Sequence, residues 1–373
     1  MDKNENTMKA YVLKEGGGIE LRQMPVPNLG DYDVLVKITK ASVCGTDYQI
    51  VKWDAWTQEN EVPAEIILGH EGAGIVEKIG SKVTRVKLGD FVAMESHYVE
   101  HDEKDPENEG VIGVFGPKDS SGKRIFPRHG TFAAYCCNDE KSIYKLSDKS
   151  KNSIHASLLE PAGNGWKVAR WIQDAGITEN IVVFGAGLHG TNTTLFLKEL
   201  GIKNIILLDP NQIRRNFAEK FGVVDHIIDP TQGDFKQKIL ELTNNAVNCV
   251  VDMAGPKIVF DSGIELLKEN GLFVLFGLPK EAGREVDGKK LNDIIFGNQE
   301  FDSEINGKRI HFKGIAGRTH QGWLELTARL EKSEFLQKKI SETLTKVIPM
   351  ENLAEEIMNA DKSIMKLGMN GFK

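Results

Sequence analysis

Ile181-Val182-Val183-Phe184-Gly185-Ala186-Gly187-Leu188-His189-Gly190 decides the fold. Four consecutive apolar residues, three of them β-branched, read as a fully buried strand. That strand leads directly into G-x-G-x-x-G, and the residues after it can open a helix. A glycine triplet alone is weak evidence, but strand, glycines and helix stand here in the order that a dinucleotide site needs. Gly185 permits the tight turn, Gly187 lets the backbone approach a pyrophosphate, and Gly190 lets helix and strand pack closely. The helix N-terminus offers free N–H groups to the anion. A second strand, Asn204 to Leu208, ends in Asp209, which follows Gly185 by 24 residues, near the roughly 20 expected for a ribose-binding acid. A carboxylate there accepts hydrogen bonds from ribose hydroxyls and repels a 2′-phosphate, so NAD is preferred over NADP. Arg214 lies close enough in sequence to soften that preference, or it packs beside the adenine or faces solvent. Leu188 and Gly277, the latter in GLFVLFGLP (Gly271 to Pro279), complete the cofactor-side candidates.

Outward from this unit the pattern continues in both directions. From about Ser157 strands alternate with helical stretches: NIVVFGAG, a helix near His189 to Leu200, NIILLDP, a helix around Arg214 to Phe221, HIID, CVVDMAG and LFVLFGLP. This βαβ series predicts a doubly wound parallel sheet. Helical character returns at Trp323 to Lys332 and Met350 to Ala360. The first ~150 residues read instead as short strands broken by glycines, with alternation from Val34 to Ile38 and β-branched runs in ILGHEGAGIVEKIG and KLGDFVAM, which suits a tightly turned barrel-like sheet. Two polar segments, Val99 to Arg128 and Glu281 to Lys308, read as solvated surface excursions; the first opens with EHDEKDPENE.

The chain has 373 residues, 40% of them hydrophobic and 27% charged, which suits two globular domains and gives no push toward disorder. Lys plus Arg number 47 against 54 Asp plus Glu, a net charge of −7. A mildly acidic surface argues against a sequence-independent grip on nucleic acid. The longest apolar stretch, Gly271 to Pro279, is too short for a membrane span, which takes about 20 residues. The polar start MDKNENTMK lacks the apolar segment of a secretory signal, and four cysteines are too few for a disulfide framework. A cytoplasmic location is the expectation.

Cys44-Gly45-Thr46-Asp47 and, 26 residues beyond Cys44, Gly69-His70-Glu71-Gly72 supply a thiol, an imidazole and a carboxylate. All three are plausible zinc ligands, and a catalytic zinc needs three or four donors with room for water or substrate. Taken alone, a Cys and a His so far apart are more often two unrelated core residues. CGTD, GHEGAGIVEKIG, KLGD, GTFAAY, EPAGN and GAGLHG occur in this order, and over essentially the whole chain the constellation resembles the zinc-dependent medium-chain dehydrogenase/reductase family. Within it, VKWDAW (Val51 to Trp56), MESH (Met94 to His97), PAGNG (Pro161 to Gly165) and FKGIAGR (Phe312 to Arg318) look most like words of the bacterial L-threonine 3-dehydrogenases.

The resemblance implies an α/β protein. It would have a GroES-like β-barrel catalytic domain (1–158 and 319–373) and a Rossmann doubly wound parallel-sheet cofactor domain (159–318). Cys44 and His70 match zinc ligands, Glu71 the acid that moves on and off the metal, and Glu160 the fourth ligand position. Thr46 matches the hydroxyl that begins a proton relay. His97, Glu95, Trp53, Trp56 and Asn164 match substrate-side positions, although His97 also reads as a surface histidine and the two tryptophans as core aromatics. The implied chemistry is oxidation of a secondary alcohol: zinc lowers the pKa of a bound hydroxyl, and hydride leaves for NAD more readily from an alkoxide. The implied substrate is L-threonine or a related 3-hydroxy amino acid, with a sugar, polyol or cyclitol as the alternative. A catalytically silent binding protein of the same fold is a third reading, which would bind no stoichiometric zinc.

Two departures stand out. No cysteine lies between Cys44 and Cys136, so the four-cysteine structural zinc lobe of many relatives, which would fall near residues 99–128, is replaced. One catalytic zinc per chain and no structural zinc are expected, with Cys136 and Cys137 buried. The resemblance also implies a homo-oligomer, dimer or tetramer, but the replaced lobe leaves its form open. The end, KLGMNGFK (366–373), departs from the family's terminal strand.

Overall fold

The computed structural model describes residues 7–100, 109–150, 153–281, 283–317, 319–359, 361 and 363–373. The chain divides into two compact units, Met1–Glu160 with Trp323–Lys373, and Pro161–Gly322.

The first unit is built around the long strand Asp33–Val43, whose residues alternate between core and surface over Val34 to Ile38. One edge pairs antiparallel with Glu71–Ile79. The other edge is shared: Tyr135–Asp139 covers Asp33 to Lys37, and Leu367–Asn370 covers Lys40 to Val43. Lys346–Pro349, Phe91–Met94 and Ile143–Lys145 complete a seven-stranded sheet, with Thr7–Leu13 and Ile19–Pro25 as a separate hairpin. This is the GroES-like β domain, and its core gathers Val34, Val36, Ile38, Leu68, Val92 and Phe132 from the inward faces. KLGMNGFK does form a terminal strand, because Leu367–Asn370 has main-chain partners on both sides: Lys346–Pro349 and Asp33–Val43.

The second unit carries the parallel sheet. In spatial order its strands are His226–Ile228, Lys203–Leu208, Glu179–Phe184, Val247–Asp252, Leu267–Leu275, Lys308–Gly314 and, antiparallel at the edge, Glu300–Ile305. Numbered along the chain, the six parallel strands run 3-2-1-4-5-6, which places the topological switch between Glu179–Phe184 and Val247–Asp252. The helix Leu188–Glu199 follows the first strand, and Gln212–Phe221 follows the second.

The reading of Glu281 to Lys308 as a solvated excursion is corrected here. The segment contains a two-residue-strand hairpin, Glu285–Val286 with Lys289–Lys290, the helix Leu291–Phe296, and the edge strand Glu300–Ile305. Val286, Leu291, Ile294 and Ile295 are buried in the core of the parallel sheet. Four apolar residues scattered among charges carry too little periodicity to announce a helix of six residues.

Val99 to Arg128 is also more than surface, although residues 101–108 of its acidic run lie outside the described residues. Ile112 and Val114 are buried. Arg128 braces the segment: its guanidinium donates to Asp33 Oδ1 at 2.7 Å and to both carboxylate oxygens of Glu100 at 3.1 and 2.8 Å, and it lies over the Tyr98 ring. Cys136 and Cys137 are buried in the sheet opposite Val36 and Leu35. Burial pushes the Cys136 thiol up to about 12, so neither environment nor spacing makes these two a metal pair.

Candidate active site

Cys44, His70 and Glu71 converge because of strand register. Ser42 pairs with Glu71, so Cys44, just past the end of Asp33–Val43, and His70, just before Glu71–Ile79, project from the same end of an antiparallel pair. Gly69 makes the approach possible: its φ is +90°, and a Cβ there would stand 2.4 Å from the Phe132 ring. A thiol, an imidazole and a carboxylate then lie with their ligand atoms within 4.8 Å of one another. Donors of a tetrahedral zinc site stand about 3.5 Å apart, so a small contraction would close the set around an ion.

The surroundings support that use. Cys44 caps the helix Gly45–Val51, and its backbone N–H donates to Asp47 Oδ2 at 2.8 Å. The other oxygen, Asp47 Oδ1, faces His70 Nδ1 at 3.5 Å, and both atoms are buried without another hydrogen-bond partner. A carboxylate behind one ring nitrogen orients the imidazole and turns the other nitrogen toward the donors, the usual outer shell of a ligating histidine. Burial alone would discourage a charge on His70, but Asp47 and then Cys44 outweigh it and hold the ring proton well above its ordinary pKa. A metal ion and that proton compete for the same ring. The residues present therefore fit a zinc ion, with Cys44, His70 and Glu71 as holders.

Among the described residues, the set of ligand atoms that converges within 4.8 Å does not include Glu160. Glu160 lies near the start of the helix Leu159–Asp174 and is buried, and its Oε1 accepts a hydrogen bond from Ser96 Oγ at 2.9 Å. The same hydroxyl lies 3.1 Å from Nδ1 of the half-buried His97. Glu95 is buried and accepts from Tyr144 Oη at 3.0 Å. Thr46 Oγ1 stands 3.8 Å from Cys44 Sγ. Trp53 and Trp56 are partly buried and pack against the β core, which favours the reading as core aromatics. Asn164 lies on Leu159–Asp174, in the second unit.

Two residues that sequence reasoning missed complete the first unit's site. Lys366 is buried, with Nζ 2.6 Å from both oxygens of Glu71, and Ser42 Oγ donates to Glu71 Oε2. Burial alone would strip the lysine of its proton, but Glu71, Cys44 and Glu160 more than offset it and keep the ammonium charged.

In the second unit the nucleotide glycines occupy the carboxyl end of the sheet, at the switch point. Gly185 has φ +104°, and a Cβ on Gly190 would stand 1.8 Å from Gly185 O. Gly187 caps the helix Leu188–Glu199, whose first residue is Leu188. Asp209 is buried at the end of its strand, with Oδ2 accepting from Ala186 N at 2.9 Å and Oδ1 from Asn211 N at 2.8 Å. Arg214 Nη1 lies 3.4 Å from Asp209 Oδ2, its guanidinium half exposed. Gly277 closes against Ala254 and Gly255, where a Cβ would come within 2.7 Å of both backbone nitrogens. Beside it Asp252, unremarked in the sequence, accepts from Ala254 N and Gly255 N, and burial pushes its carboxyl up to about 6.

Comparison with known proteins agrees with this geometry. Residues 30–148 match the alcohol dehydrogenase GroES-like domain and residues 190–329 the zinc-binding dehydrogenase domain. The L-threonine 3-dehydrogenase of Mesorhizobium japonicum is 30% identical over 331 residues, covering 87% of this chain and 89% of that protein. The structure of 2R,3R-butanediol dehydrogenase from Bacillus subtilis superposes with a TM-score of 0.76 at 22% identity, over 97% of this chain and 99% of that one. Galactitol-1-phosphate dehydrogenase from Escherichia coli gives 0.75 at 18% identity, over 97% and 100%. The chain belongs to the zinc-dependent medium-chain dehydrogenase/reductase family. It is an oxidoreductase of the alcohol dehydrogenase type. Among the described residues no helix is long and apolar enough to cross a membrane.

Proposed function

We propose that the protein oxidises the secondary hydroxyl of L-threonine, or of a related 3-hydroxy amino acid, to a ketone, using one catalytic zinc per chain and NAD. The observation that carries the reading is the convergence of Cys44, His70 and Glu71. The substrate class rests on similarity to proteins named L-threonine 3-dehydrogenase. A bound zinc ion supplies the Lewis acidity that brings a substrate hydroxyl within reach of deprotonation near neutral pH.

The chain's own groups do the rest. Cys44, His70 and Glu71 hold the ion, and Asp47 fixes the imidazole that faces it. The Thr46 hydroxyl accepts the substrate's proton and passes it toward the cofactor ribose. The backbone N–H groups after Gly187 bind the pyrophosphate, and Asp209 accepts hydrogen bonds from the adenosine ribose, which disfavours a 2′-phosphate. His97, tied to Glu160 through Ser96, orients the substrate. The GroES-like unit carries the metal, the parallel-sheet unit carries NAD, and the assembly is a cytoplasmic homo-oligomer.

A second reading, a polyol, sugar or cyclitol substrate, is favoured by one observation: Trp53 and Trp56 pack against the β core instead of standing free for substrate. NADH formation by zinc-loaded protein, measured with L-threonine and then with polyols, cyclitols and aldoses, separates the two. Turnover of L-threonine, with about one zinc per chain, is the expected result. Turnover of polyols alone replaces the substrate, and no turnover with no bound zinc refutes the dehydrogenase reading.

A further inference from the structure

Lys167 is half-buried on the helix Leu159–Asp174, and its ammonium ends among oxygens of a single turn. Nζ donates to Ala316 O at 2.5 Å, to Asn298 Oδ1 at 2.9 Å and to Gly317 O at 3.2 Å. Asn298 closes the network from the other side, since the same Oδ1 accepts from Ala316 N at 3.0 Å. One lysine and one asparagine thus hold the turn 315–317 by its main chain. Packing explains why the lysine reaches it. Trp171, one helical turn after Lys167, stacks on His311 and has Lys313 over its ring. That face of the helix therefore lies along the strand Lys308–Gly314, and Lys167 projects past the strand's end. Asn298 follows the helix Leu291–Phe296 with φ +48°, a left-handed position that asparagine tolerates.

The place of this turn gives the network a use. It follows the sixth parallel strand, and Ile315 N donates to Leu275 O at the end of the fifth. In a sheet of this order a dinucleotide lies across the carboxyl ends, with one half over strands one to three and the other over strands four to six. Asp209, at the end of the second strand, is assigned to the adenosine ribose. The nicotinamide half is left with the ends of Val247–Asp252, Leu267–Leu275 and Lys308–Gly314. Its carboxamide both donates and accepts hydrogen bonds, and a carbonyl oxygen has two lone pairs. Ala316 O and Gly317 O can each receive a carboxamide N–H while Lys167 holds the other side of the oxygen. Donors and acceptors orient a ligand only when they are themselves fixed.

Resting on the NAD reading above, we propose that Lys167 is a positioning residue for the nicotinamide half of the cofactor: with Asn298 it fixes the turn 315–317, whose main-chain groups orient the carboxamide.

Two ligands separate this role from a purely structural one. ADP-ribose has the adenosine, the pyrophosphate and the second ribose of NADH but no nicotinamide. Calorimetric titration of the wild-type protein should show NADH binding more tightly than ADP-ribose. In Lys167→Met, NADH affinity should fall about tenfold, the scale of a lost hydrogen bond from a charged group, while ADP-ribose affinity stays within about twofold. The fluorescence of bound NADH should also move back toward that of free NADH, because the ring is no longer held. Asn298→Gly keeps the left-handed backbone and removes only the amide, so it should shift both readouts in the same direction, and it stands in if Lys167→Met does not fold. An equal loss for both ligands, or an unchanged NADH affinity, overturns the inference, as does a wild-type protein that binds ADP-ribose as tightly as NADH. A wild-type protein that binds neither ligand refutes the NAD reading itself.

Discussion

Gly190→Ala and Gly187→Ala should separate two roles that one glycine motif combines. At Gly190 a Cβ would lie 1.8 Å from Gly185 O and 3.8 Å from a Val183 methyl. A carbon and a carbonyl oxygen need about 3.2 Å, so the helix Leu188–Glu199 must retreat from the strand by more than 1 Å, or the turn at Gly185 must open. Overpacking of this kind costs about 1–3 kcal/mol. The same displacement moves the helix N-terminus that receives the pyrophosphate, and misplacement on the order of 1 Å can cost about a hundredfold. Gly187 is the opposite case. Its φ is −71°, open to any residue, and the nearest atom to an added Cβ is Arg214 Nη1 at 4.0 Å. Alanine there meets no protein atom, only the space the cofactor would use. Thermal melting with NADH fluorescence titration reads both effects. Gly190→Ala should lower the melting temperature and weaken NADH binding together, whereas Gly187→Ala should weaken binding with an unchanged melting temperature. NADH affinity unaltered in both variants would refute the assignment of this turn to the cofactor.

Asp252 makes a prediction about pH. Its folded pKa, raised to about 6 from an ordinary 3.8, means that the protonated form favours folding, a contribution complete below 3.8 and lost as pH rises through 6; the span corresponds to about 3 kcal/mol. Asp252→Asn keeps the shape without the charge, so its stability relative to wild type should grow by that amount between pH 4 and pH 7.5 in urea titrations, and a flat difference would contradict it. Arg128→Met should destabilise the chain by about 3 kcal/mol, since it leaves the largely buried Asp33 carboxylate without its cation; a loss under about 1 kcal/mol would remove Arg128 as the brace of its segment. Zinc affinity should fall with falling pH as His70 gains its proton, and Asp47→Asn, which takes away the charge that raises the His70 pKa, should move that fall to lower pH; a pH profile identical to wild type would separate Asp47 from the metal ligand.

The particular residues show how far the sequence reached. The turn at Gly185 to Gly190 was legible because its chemistry is local: strand, glycines and helix follow within ten residues, and each glycine answers a steric demand of its neighbours. The same holds for Asp209, whose position at a strand end follows from the apolar run before it. Cys44, His70 and Glu71 were legible as donors through words that resemble a family, and their convergence depends on a register that no spacing reports. Glu160 was matched to the ligand set; its Oε1 accepts from Ser96, and Trp53 and Trp56 pack against the β core.

Lys366 lay beyond sequence reasoning altogether. It stands 295 residues from Glu71, at the start of a terminal strand whose polar and glycine residues hide its pairing. Glu281 to Lys308 concealed a buried helix and an edge strand for a related reason, its few apolar residues being spaced by charges. By itself the sequence determined the class of fold and the cofactor turn, which follow from local sterics and periodicity, and it indicated the kinds of donor atom through words that resemble a family. The tertiary structure alone decided which charge neutralises Glu71, what braces the residues beside Arg128, and where Glu160 points. Those are matters of strand register and burial, which bring together groups that the chain holds far apart.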